Sequence, residues 1–91
     1  MDKKEKLSSM EKMIRELDDI VNSQMSLLKK IAQLEAENIN LGNSILEKQL
    51  PEIHSKADET LNSASALVED FTAAKDKFIK DNKLELAPPE S

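Results

Sequence analysis

The 91-residue sequence contains no cysteine, tryptophan or tyrosine, one glycine, one histidine, two phenylalanines and three prolines. Without cysteine there is no disulfide, no thiol nucleophile and no thiolate-held metal. The lone His54 leaves no imidazole pair for a zinc site or a catalytic dyad. One glycine cannot build a phosphate-cradling loop. So few turn formers also argue against a β-rich fold, which needs turn residues at short intervals. No apolar run approaches the ~18 residues of a spanning helix. The charged N-terminus is not followed by the apolar stretch of a secretory signal. The cytoplasm is therefore the expected location, with secretion by a signal-independent route left open.

What remains is 38% hydrophobic, 34% charged and 2% aromatic. This composition, on a chain long enough for one domain, is that of long helices. The formal net charge is −5. Most of it lies in the second half, where five basic side chains face nine acidic ones. Such a chain repels phosphate backbones, so no nucleic-acid partner is expected. Lys3, Lys4 and Lys6 make a short basic start, read as a frayed terminus over residues 1–6.

From residue 7 to 41 the chain carries a heptad. Met10, Leu17, Gln24, Ile31 and Asn38 occupy its a positions. Met13, Ile20, Leu27, Leu34 and Leu41 occupy its d positions. A third row, Leu7, Ile14, Val21 and Leu28, fills e until Glu35 ends it. The apolar face is thus three rows wide over residues 7–28 and narrower beyond. One partner helix covers about two rows, so this half of the chain calls for neighbours on two sides. Gln24 and Asn38 interrupt the stripe as candidate register-setting residues. The methionines at 10, 13 and 25 could fill core or make an adaptable docking surface.

Gly42, able to take the left-handed conformation, marks a turn at 42–44. Ser44 with Glu47 forms a candidate capping box for a second helix. The competing reading is one helix to Gln49, with Pro51 opening the second. Under the favoured turn, helix 1 covers about 7–41 and helix 2 about 45–80, and Pro51 kinks the latter. The second helix has its own stripe: Ile53, Ala57, Leu61, Ala64, Val68, Phe71 and Phe78, broken by Lys75. Its many small residues leave room for the long side chains of helix 1. A turn near 43 sets Ile14 beside Phe71, Leu7 beside Phe78 and Val21 beside Ala64, in arms of equal length. Residues 81–91, with Pro88-Pro89, lose the pattern and are read as a disordered tail; Leu84 and Leu86 could anchor a short contact.

The expected fold is an all-α antiparallel two-helix hairpin that completes a helical bundle with copies of itself or with other helical proteins. The interface residues expected are Met10, Met13, Ile14, Leu17, Ile20, Val21, Leu27, Leu28, Ile31, Leu34 and Leu41 of helix 1, with Leu61, Val68, Phe71 and Phe78 of helix 2. Leu28→Asp and Phe71→Asp are each expected to abolish assembly. No catalytic residue, cofactor, metal or small-molecule substrate is expected. Paired carboxylates such as Asp18-Asp19 diverge by about 100° on a helix and do not converge on a substrate.

The string Glu16-Leu17-Asp18-Asp19-Ile20-Val21 resembles the Glu-Leu-Asp core of small aspartyl-phosphate phosphatases that fold as helical hairpins. That family carries the motif in its second helix, whereas here it lies in the first, and the heptad already accounts for Leu17 and Ile20. A non-catalytic assembly subunit is the leading expectation. The alternative is a small helical secretion partner or chaperone, similar in length and central turn to the WXG100 type, though Leu41-Gly42-Asn43 is no Trp-x-Gly. An acidic inhibitor and a small phosphatase rank below these.

Overall fold

The computed structural model describes residues 2–84. Two helices make up the fold, α1 over Lys3–Leu41 and α2 over Ser44–Asp81, of 39 and 38 residues. They pack on each other as an antiparallel hairpin of 60 × 24 × 18 Å. The long dimension is what ~39 residues at 1.5 Å rise demand.

α1 starts at Lys3, earlier than the frayed 1–6 segment expected. The reason is local: Asp2 Oδ1 accepts the Glu5 N–H at 2.8 Å, and Glu5 Oε1 accepts the Asp2 N–H at 3.0 Å. This reciprocal capping box satisfies two otherwise orphan donors, so the lysines belong to the first turn.

The reversal occupies Gly42 and Asn43. Gly42 sits at φ 71°, ψ 30°, and its N–H donates to the Asn38 carbonyl at 2.7 Å. Nothing lies within 4 Å of where a Cβ on Gly42 would project. The demand for glycine is therefore one of backbone conformation alone, and Gly42→Ala should cost about 1 kcal/mol, read by urea denaturation. Asn43, not the expected Ser44, is the cap of α2. Its Oδ1 accepts from the N–H groups of Ile45 and Leu46 at 3.0 and 3.1 Å. Once Gly42 has turned the chain, one extended residue suffices to start the next helix, and Ser44 already lies inside it, with Glu47 in the first turn.

Asn38 clamps this turn from α1. Its Nδ2 donates to the Asn43 carbonyl at 3.0 Å, and its Oδ1 accepts the Asn43 N–H at 2.9 Å. At 7% exposure it is the one buried polar residue among the described residues. Its amide thus fixes where the chain reverses. Asn38→Ala would leave both Asn43 backbone groups without these partners and should cost about 2 kcal/mol, while the exposed Asn40→Ala should lower the same denaturation midpoint far less.

Pro51 lies within α2, where it removes the bond that its N–H would have made to the Glu47 carbonyl. At the far end Asp81 is still helical, ahead of the tail expected over 81–91. Lys83 takes φ 54°, and the Leu84 N–H reaches back to the Ile79 carbonyl at 2.9 Å, a Schellman-type stop. Asn82 Nδ2 adds a bond to the Phe78 carbonyl at 2.9 Å. Lys77 donates to Asp81 at 2.8 Å, and that hydrogen bond holds its ammonium above its ordinary pKa. Leu86 and the rest of the expected tail lie outside the described residues.

Candidate functional site

The seam between the helices uses two of the three apolar rows of α1. The e row (Leu7, Ile14, Val21, Leu28) and the a row (Met10, Leu17, Gln24, Ile31, Asn38) are buried or half-buried against α2. Ile31 is the most enclosed of them, at 4% exposure. Leu50, Ala57, Leu61, Ala64, Val68, Phe71 and Phe78 answer from α2. Leu50 and Ala57 are both buried, so a small side chain lets α1 approach where a leucine fills the next gap. Lys75 shares this seam with its side chain 17% exposed and its ammonium 3.6 Å from Asp76, so its aliphatic stem is covered while its head reaches an acidic neighbour.

The third row of α1 is left outside. Met13, Ile20, Leu27, Leu34 and Leu41 are 50%, 46%, 40%, 47% and 72% exposed. On α2 the row Ile53, Thr60, Leu67 and Ala74 is exposed as well. Ile53, expected in the stripe of helix 2, is 48% exposed. Leu50, three residues earlier and so on an adjoining row, takes the buried place instead.

The two exposed rows flank the same side of the hairpin. One open groove of about 390 Å³ is lined by Met13, Glu16, Leu17, Ile20, Leu67 and Phe71. A second, of about 300 Å³, is lined by Gln24, Leu27, Ile53, Lys56, Ala57 and Thr60. Together they form one apolar face running along the rod. Thr60 does not break it, because its hydroxyl already donates to the Lys56 carbonyl at 3.0 Å. Burying the exposed half of a side chain such as Ile20 or Leu27 is worth about 1 kcal/mol apiece.

Charged side chains border this face on both sides. The row next to d on α1 reads Ser9, Glu16, Ser23, Lys30, Glu37, and the matching row on α2 reads Gln49, Lys56, Ser63, Asp70, Lys77. Glu16 and Lys56 are themselves part of the groove walls. The reverse side of the hairpin is of another kind, since Glu11, Asp18, Asp58, Ser65 and Thr72 lie along it. Near the turn that side has a groove of about 420 Å³ where Ile39, Leu46, Leu50 and Pro51 stand beside Glu35 and Glu47.

His54 and Asp58 are both exposed. No group of three or more potential metal ligands occurs among the described residues. No helix among them is long and apolar enough to cross a membrane. Thr60, Leu67 and Ala74 of the exposed α2 row are not among the interface residues expected from the sequence. The row's spacing, seven residues between Ile53, Thr60, Leu67 and Ala74, was the available signal. No protein-family model, curated protein or solved structure matches the chain.

Proposed function

We propose that this chain is a non-catalytic assembly component that works by packing its apolar face against other helices. The observation that supports it is the continuity of that face, with four half-exposed side chains from Met13 to Leu34 on α1 beside Ile53 and Leu67 on α2. Over those turns α1 advances by ~30 Å, the length of a substantial helix–helix contact. A row this long left in water is far more than the scattered exposed apolar residues of an ordinary surface. Helical bundles of three or more members bury such a third row as a matter of geometry.

Sedimentation of the pure chain, paired with a dye that brightens in apolar grooves, tests this reading. The chain should either associate or, where it stays single, bind the dye. A single particle that leaves the dye dark at high concentration would overturn it.

A further inference from the structure

We infer that the apolar face is covered by a second copy of this chain, laid with its turn at the opposite end, so that α1 packs on α1 and α2 on α2 in an antiparallel four-helix bundle. This rests on the reading of the face as an interface; the charges along its borders supply the occupant.

Turn the α1 border end for end about Ser23. Glu16 then falls on the second copy's Lys30, and Lys30 on its Glu16, while Ser9 meets Glu37. The α2 border behaves alike about Ser63, where Lys56 falls on Asp70 and Gln49 on Lys77. Lys77 already has Asp81 as its partner, so an uncharged opposite number suits it. Each border is therefore complementary to itself, which is the requirement of an isologous contact in which every pairing occurs twice.

The apolar rows obey the same operation. To within one residue, Ile20 falls on Leu27 and Met13 on Leu34; on α2, Thr60 falls on Leu67 and Ile53 on Ala74. The centres of the two helices also coincide. Gln24 and Thr60 line one groove and Leu17 and Phe71 the other, so Ser23 and Ser63 stand level to within about one helical turn along the rod. One axis thus serves both helices.

A copy laid with its turn at the same end would set α1 on α2 instead. Glu16 would then face Asp70 and Lys30 would face Lys56, each of them twice. Like charges opposed in this way oppose that orientation.

Single-cysteine variants decide the matter, because the chain has no other thiol. With a short bismaleimide, Ser23→Cys should cross-link to itself and Ser63→Cys to itself, with no cross-link between the two variants when mixed. Cross-linking only in the mixture would overturn the orientation in favour of α1 on α2. The charge variants read independently. Glu16→Lys should weaken the dimer about tenfold, and adding Lys30→Glu should restore it; tightening by Glu16→Lys alone would overturn the orientation as well. A wild-type chain that stays single but lights the dye would overturn the second copy while leaving the interaction reading in place. A single chain that leaves the dye dark would remove both.

Discussion

Ile31→Asp should leave the chain without its hairpin. Ile31 is the most enclosed apolar residue of the seam, at 4% exposure, and it sits where Leu50 and Ala57 are also buried. An aspartate there loses the burial of a full aliphatic side chain and places a carboxylate inside an apolar seam. The cost is about 5 kcal/mol or more, which rivals the whole stability of a domain this small. Far-ultraviolet circular dichroism should show most of the helical signal gone at room temperature. Retention of native helicity would mean that the a row is not the inner seam.

Leu27→Asp combined with Leu34→Asp should do the opposite. Both positions are nearly half exposed before substitution, so the carboxylates stay in water and the hairpin keeps its helices, at a cost of about 1 kcal/mol from lost helix propensity. Association, by contrast, should disappear, because the carboxylates would be stranded inside the bundle. The expected readout is a helical particle of the chain's own mass that no longer brightens the dye. Leu27 and its neighbour Leu28 thus differ in kind. Leu28→Asp and Phe71→Asp, expected from sequence to abolish assembly, strike the half-buried seam within one chain and should act first on folding.

The difference between those two leucines marks how far the sequence could be read. The excess width of the stripe was legible, since Leu7, Ile14, Val21 and Leu28 repeat beside two other rows. Which row would be left over was not. The a row has d on one flank and e on the other, and either flank can face a partner. The choice belongs to the turn, where the left-handed Gly42 and the single extended Asn43 set the side from which α2 returns. That places α2 against a and e, and d outside.

Other gaps have similarly local causes. Asn38 reads as a polar interruption of a heptad until the chain reverses five residues later and brings the Asn43 backbone within its reach. Asn43 and Ser44 are both good caps by residue type, and only the length of the turn decides between them. The early start of α1 was within reach, because Asp2 and Glu5 carry the spacing of a capping box, yet the apolar repeat that drew the eye begins at Leu7. On α2, alanine and serine dilute the apolar pattern, so the stripe is drawn through Ile53 from the sequence, whereas packing gives the buried place to Leu50.

Solvent exposure of individual methyl groups tests the central claim most directly. A neutral gadolinium chelate, added to the chain at a dilution where it sediments as a single particle, should broaden the methyl resonances of Ile20, Leu27 and Leu34 while sparing Leu28 and Ile31. On concentration, the first three should become protected as well. Equal protection of Leu27 and Leu28 in the dilute single particle would contradict the account, because one companion helix would then be hiding all three rows.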